Sequence, residues 1–333
     1  MKSLKQLLGG SSFLEITKNN PKSLAAETQI HGNYQLTIHG TGFLEIIPNN
    51  SLNIATIIST AIHGNETAPI EICDEIIQEV ISGKLELKYP TLFILGNPPG
   101  MNAAKRFVDY NLNRLFDGNH KNIDPCYETQ RAREIEEVVH DFYQRHNTDE
   151  KRHYDLHTAI KPSKHEKFAI YPFSPNKERS IEQMNIMGLL GANVILYSTS
   201  KSTTFSYHTS ANYNAHSFTV ELGKVHPFGQ NPIENFKKTR ENLKKFLNGT
   251  LEIGHKLSND IIAYQVHHSV IKETEEFDFY FPDNTENFTL FKKGEKIYKD
   301  RDTEYIADCD VRVIFPNKNV INGQRAALLV VEV

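Results

Sequence analysis

The sequence predicts an α/β domain over residues 1–252 followed by a smaller β-rich domain over 253–333. Three observations point there. Apolar runs without strict alternation, at 53–62 and 91–95, suit strands buried on both faces. Segments whose apolar residues recur at helical spacing lie between such runs. Past about residue 255 that spacing disappears, and short β-prone stretches separated by turns replace it.

Taken in order, residues 1–50 read as β structure: Tyr34 to Ile38 alternates, Gly40 and Gly42 punctuate, and 43–47 resumes. The run 53–62 ends in His63-Gly64-Asn65-Glu66. Beyond it Ile70, Cys73, Ile76, Ile77 and Val80 keep helical spacing, with Pro69 in the first turn, where proline is tolerated. The strand 91–95 leads into the loop Gly96-Asn97-Pro98-Pro99-Gly100. Over 127–145, Ala132, Ile135, Val139 and Phe142 share one helical face. Strands are expected at 153–158, 194–197 and 217–222, and a helix over 233–247 stops at Asn248-Gly249. The tail offers strands at 261–271, 277–281, 288–291, 311–315 and 326–333.

Composition narrows the functional class. With 333 residues, 39% hydrophobic and 23% charged, the chain is expected to be a soluble globular protein with a sizeable core. A formal charge of −4 lends no support to a nucleic-acid or anionic-membrane partner. No apolar run reaches the roughly 18 residues of a membrane span, and the first ten residues lack the apolar stretch of a leader. Cys73, Cys126 and Cys309 are odd in number, far apart and form no C-x-x-C pair, as expected of reduced cysteines in a cytoplasmic protein. Any zinc must therefore use histidine and carboxylate. Oligomeric state is not legible.

His63 and Glu66 sit where a buried strand gives way to a helix, and in open α/β sheets ligands gather beyond the carboxyl ends of strands. Catalytic zinc commonly takes three protein ligands, two histidines and a glutamate among the known sets. His157, in Tyr154-Asp155-Leu156-His157-Thr158, can supply the third from a distant strand. On a strand Asp155 and His157 point to the same face, so Asp155 can orient the imidazole through its second nitrogen. A chance H-x-x-E string, with its glutamate placed by the helix dipole alone, is the alternative on spacing. Arg106 and Arg114 flank Asn113 in a loop and suit bidentate binding of carboxylates, or else pair with Asp109 or Asp117. Glu221 lies in an otherwise apolar strand, Phe218 to Leu222. It is either a carboxyl of raised pKa fit for general-base work or an edge residue facing solvent.

The string Ile62-His63-Gly64-Asn65-Glu66-Thr67-Ala68-Pro69-Ile70-Glu71 resembles the metal motif of the succinylglutamate desuccinylase/aspartoacylase family, carboxypeptidase-like zinc hydrolases. Four further segments follow in the family's order. They are Leu95 to Pro99; Lys105-Arg106 with Asn113-Arg114-Leu115-Phe116; Leu156 to Ile160; and Glu221 to Lys224 running into Pro227 to Asn231. Fainter likeness at Phe291 to Gly294 and Phe315 to Asn317 extends it over nearly the whole chain.

The resemblance implies a carboxypeptidase-like mixed sheet flanked by helices, and one zinc ion per chain on His63, Glu66 and His157. It makes Glu221 the catalytic glutamate and puts Arg106, Asn113 and Arg114 on substrate-binding positions. The implied reaction is hydrolysis of the amide of N-succinyl-L-glutamate to succinate and L-glutamate, in arginine catabolism. An aspartoacylase-like deacylase, a metallocarboxypeptidase or a non-catalytic binding protein on the same fold are the rivals. Asn111 stands where aspartoacylases carry aspartate, which would change how Arg114 is held. Ser198 to Thr203 lacks the glycines that family members often have before the pair matched by Thr204-Phe205, so fine substrate preference stays open.

Overall fold

A computed structural model describes residues 3–175 and 177–333. Met1 and Lys2, with which the segment searched for a leader begins, lie outside the described residues. Among the described residues no helix is long and apolar enough to cross a membrane.

The strands are β1 (Glu27–His31), β2 (Tyr34–Gly40), β3 (Phe43–Pro48), β4 (Ile54–Thr60), β5 (Thr91–Leu95), β6 (Glu150–Ala159), β7 (Lys167–Tyr171), β8 (Val194–Tyr197) and β9 (His216–Lys224). The tail adds β10 (Ile262–Ile271), β11 (Asp278–Phe279), β12 (Thr289–Phe291), β13 (Lys296–Asp300), β14 (Thr303–Ile306), β15 (Val311–Ile314) and β16 (Arg325–Glu332). One mixed sheet runs in the order β1-β2-β3-β5-β4-β6-β9-β7-β8-β10-β16-β15-β12, and β11, β13 and β14 form a small second sheet. At its centre β5, β4, β6 and β9 are parallel.

These central strands are apolar on both sides because helices cover both sides. On one face α1 (Ser3–Leu8), α2 (Phe13–Asn19), α3 (Thr67–Ile81), α6 (Ile181–Leu189) and α8 (Ile233–Leu247) share a core with Ile58, Phe93, Tyr154, Leu156, Phe218 and Val220. On the other, α5 (Tyr127–Arg145) and the start of α7 (Phe205–Tyr213) pack with Ala55, Ile57, Leu92 and Ile94. A short helix α4 (Pro98–Asn102) occupies the stretch read as the 96–100 loop. Asn97 caps it by accepting from the Gly100 amide at 3.0 Å.

The opening segment departs from the all-β reading of residues 1–50. Its first part forms α1 and α2, because Ser12 and Glu15 close a reciprocal capping box and Leu4, Leu7, Phe13 and Ile16 bury in the core, α2 against α3 and α1 against α2, β1 and β2. Short amphipathic helices of this kind leave little periodic signal ahead of a strand-rich stretch.

The tail is β-rich as expected, but it does not stand apart. Strand β10 pairs in parallel with β8, Ile262 opposite Val194, so the large sheet crosses the 252/253 division. Phe168, Val194 and Leu196 share a core with Tyr264, Phe288 and Leu328 across it.

Candidate active site

The parallel register brings the carboxyl ends of β4, β6 and β9 together, and the functional side chains sit at or beyond them. Strand β4 ends at Thr60, and Ala61 leaves it with φ +56°, the left-handed region that disfavours a Cβ. The chain then turns through His63 and Gly64 into α3. Gly64 is required there. A Cβ would lie 2.2 Å from the Gly100 carbonyl carbon and 2.3 Å from the Met101 nitrogen, while the Gly64 amide donates to the Arg106 carbonyl at 3.0 Å. The turn is thus locked against the loop that carries Arg106.

His63, Glu66 and His157 are buried, at 3%, 1% and 1% exposure, and their donor atoms lie within 4.8 Å of one another. His63 Nδ1 is 2.8 Å from Glu66 Oε1, His157 Nδ1 is 2.9 Å from Glu66 Oε2, and the two Nδ1 atoms are 3.2 Å apart. Two donors on one tetrahedral zinc ion stand about 3.3 Å apart, given Zn–N bonds of about 2.0–2.1 Å. The cluster therefore has the size of a zinc site.

The outward nitrogens fit as well. His157 Nε2 lies 2.8 Å from Asp155 Oδ2, and Asp155 also accepts from Ser59 Oγ at 2.6 Å. His63 Nε2 lies 3.0 Å from Asn111 Oδ1, an oxygen that also accepts the Asn113 amide at 3.1 Å. Each ring thus donates outward through Nε2 and turns Nδ1 inward as a ligand atom, the arrangement metal-bound imidazoles need.

Two other groups of potential ligands differ. In Asp109–Cys126–Glu128 the Glu128 carboxylate accepts the Asn97 amide and the backbone of Val108, Asp109 and Tyr110, so it pins the loop. His267–Asp308–Cys309 is largely exposed and distant in sequence from the motifs above.

Charge in the cluster follows from its neighbours. Burial alone would raise the Glu66 carboxyl, but His63, His157 and Arg106 hold it well below the usual carboxylate range. Burial, and then Arg106, pull His63 down to about 4, whereas the carboxylates of Asp155 and Glu66 overcome burial and raise His157.

Glu221 faces this group from β9, directly opposite His157 of β6 in the ladder. It is 8% exposed, its Oε2 has no hydrogen-bond partner among the described residues, and burial, opposed by His157, raises its carboxyl to about 7. The edge-strand alternative does not hold, since β9 lies between β6 and β7.

Arg106 Nη1 reaches Glu66 Oε1 at 2.6 Å, and Arg114 Nη1 donates to the Asn113 carbonyl at 2.9 Å. Among the described residues neither pairs with Asp109 or Asp117, which accept from the Tyr127 amide and Asn212 instead. Asn113 is buried and its Oδ1 accepts the Phe205 amide at 2.9 Å, tying the loop to α7. The Asn111 side chain serves His63, and its backbone carbonyl accepts the Arg114 amide at 2.9 Å. The bond to His63 was missed because an asparagine in a loop carries no pattern beyond a turn signal. Ser59 and His153, 2.8 Å apart behind Asp155, were missed because both lie inside apolar strands and read as core.

Comparison with known proteins agrees with this architecture. The family model for the succinylglutamate desuccinylase/aspartoacylase catalytic domain matches residues 53–247, and that for the barrel-sandwich hybrid domain of the same family matches 259–333. The chain is 44% identical over 303 residues to succinylglutamate desuccinylase of Pseudoalteromonas atlantica, covering 89% of this chain and 87% of the relative. It is 39% identical over 337 residues to the protein of that name from Shewanella denitrificans, covering 98% and 97%. The crystal structure of succinylglutamate desuccinylase from Vibrio parahaemolyticus superposes with a TM-score of 0.90 at 37% identity, covering 97% of this chain and 96% of that one.

Proposed function

The chain belongs to the succinylglutamate desuccinylase/aspartoacylase family, and on that premise we propose that it hydrolyses N-succinyl-L-glutamate to succinate and L-glutamate with one zinc ion per chain. The observation that carries this reading is the convergence of His63 Nδ1, His157 Nδ1 and the Glu66 carboxylate beside the buried Glu221.

When bound by His63, Glu66 and His157, zinc supplies Lewis acidity, polarising an amide carbonyl and making water nucleophilic near neutral pH. The protein supplies the rest. Asp155 and Asn111 hold the two imidazoles with Nδ1 inward. Glu221 takes a proton from the attacking water and returns it to the departing amine of glutamate, a task suited to a carboxyl whose pKa burial has raised towards neutrality. Arg106 sits at the rim of the cluster, where its guanidinium can face the oxyanion that develops on the amide oxygen. Arg114 and Asn113 take the substrate's carboxylates on the same loop. We also read 1–252 as the catalytic unit and 253–333 as a β-rich unit attached to it. Three free cysteines accord with a cytoplasmic setting and a small-molecule substrate met there.

A substrate panel tests the reading. N-succinyl-L-glutamate should be cleaved with kcat/KM at least tenfold above N-acetyl-L-aspartate and short peptides. Preference for either of the latter moves the chain to an aspartoacylase-like or peptidase role.

A further inference from the structure

The tail brings one more cation to the loop that carries the candidate substrate-binding residues. Strand β16 opens with Arg325, which lies opposite Ile271 of β10 just past a register shift at Val270/Ile271. The residue before it, Gln324, donates from Nε2 to the Tyr110 hydroxyl at 3.1 Å. Tyr110 in turn sits in the 106–114 loop, whose backbone at 108–110 is fixed on Glu128. The start of β16, with Arg325, is thereby tied to the loop that ends in Arg114. After burial, the positive charges that lower Arg114 to about 9 are those of Arg325 and then Arg106.

Two guanidiniums brought together in this way are costly unless an anion lies with them. Among the described residues neither Arg114 nor Arg325 has a carboxylate within 4.0 Å, and Arg114 is satisfied only by the Asn113 carbonyl. Other enclosed arginines differ. Arg131 donates to the carbonyls of Thr41, Leu95 and Gly96, and Arg152 holds both Glu150 and Glu182. Arg106 is already engaged with Glu66. Arg114 and Arg325 are half-buried, so a solute can reach them.

We propose that Arg325 completes an anion subsite with Arg114, and that the pair grips one carboxylate of the acyl-amino acid from two sides. This rests on the acyl-amino-acid reading above. It gives the β-rich unit a direct part in binding: without it the site has a single free guanidinium.

The test uses full-length, zinc-loaded protein. Arg325→Ala should raise KM for N-succinyl-L-glutamate at least tenfold, the scale of a lost charge-assisted hydrogen-bond pair, while kcat changes less than threefold and zinc stays at one per chain. Arg325→Lys, which keeps the charge but not the fork, should fall between. Three substrates each lacking one carboxylate locate the contact: N-acetyl-L-glutamate, N-succinyl-L-2-aminobutyrate and the α-amide of succinylglutamate. The Ala penalty should vanish for one of them. A KM within twofold of wild type for both variants overturns the inference, as does a penalty undiminished across all three. Should the Ala variant not fold, the Lys variant with the same panel decides. If wild type hydrolyses none of these compounds, the functional reading fails separately. The subsite then stands or falls on whether glutarate binding, read by calorimetry, weakens tenfold in Arg325→Ala.

Discussion

His157 and Glu221 stand directly opposite one another on the adjacent parallel strands β6 and β9. Paired residues of neighbouring strands project to the same side of a sheet at a spacing of about 4.8 Å. An imidazole of the candidate metal cluster and a carboxyl that burial has raised to about 7 are thus fixed side by side by rigid backbone.

The first consequence concerns Glu221 itself. Glu221→Gln keeps the shape of the side chain and removes its proton-accepting capacity. Turnover should fall by roughly 10²–10⁴-fold, the usual contribution of a general base, with metal content unchanged by elemental analysis. A variant within tenfold of the wild-type rate would remove Glu221 from the mechanism.

The pH profile follows from the same carboxyl. A base must be deprotonated, so kcat/KM should decline as pH falls through the Glu221 pKa. That value is about 7 without a cation, and a bound cation beside it favours the carboxylate and moves the limb lower. Steady-state rates from pH 4.5 to 8 with the metal held saturating give the limb. A profile flat across that range, or falling only on the alkaline side, contradicts the assignment.

On the proposed reading Asp155 supports the metal site through His157. Asp155→Asn preserves size but removes the charge 2.8 Å from His157 Nε2. Metal affinity should drop by roughly 10–100-fold, the usual effect of such outer partners, as read by competition with a chromophoric chelator. Unchanged affinity would mean that His157 needs no such support.

At Gly64 the constraint is steric. Gly64→Ala puts a methyl group into the Gly100–Met101 backbone, which no flexible side chain can relieve. The turn must move, so both metal content and Tm should fall together. Near-normal metal binding in this variant would show that the turn has more room than its contacts allow.

Far from the site, Glu45 is buried among His146, His39 and Arg145, and although burial opposes it these partners hold its carboxyl down at about 2, against an ordinary 4.5. A carboxyl lowered on folding contributes stability above its unfolded pKa and loses it as pH falls towards the folded value. Glu45 should therefore add at most about 3 kcal/mol above pH 5 and progressively less between pH 4.5 and 2. Denaturant melts of wild type and Glu45→Gln should differ at pH 7 and converge near pH 2. Parallel curves at every pH would show a packing effect instead.

What the sequence made legible was the part with strong local signatures. The apolar runs of β4 and β5, the helical spacing of α3 and α5 and the H-x-x-E turn are short-range patterns, and each lies where its spacing put it. The pairing of His63 with Asn111, and the bond of Gln324 to Tyr110 that ties β16 to the Arg114 loop, are contacts across 48 and 214 residues of chain. No local periodicity records those. The helices α1 and α2 escaped for a related reason: their stability comes from burying Leu4, Leu7 and Phe13 in a core shared with later elements, not from their own length.

The central claim, that a zinc ion on His63, Glu66 and His157 drives hydrolysis of succinylglutamate, is met most directly by one measurement. Succinate release from N-succinyl-L-glutamate is followed while zinc is removed by a chelator and returned in measured amounts. Activity should disappear in the metal-free protein and recover linearly to a break at one zinc per chain, with no recovery in His157→Ala. Full activity in metal-free protein, or zinc-restored protein that leaves succinylglutamate intact, would contradict it.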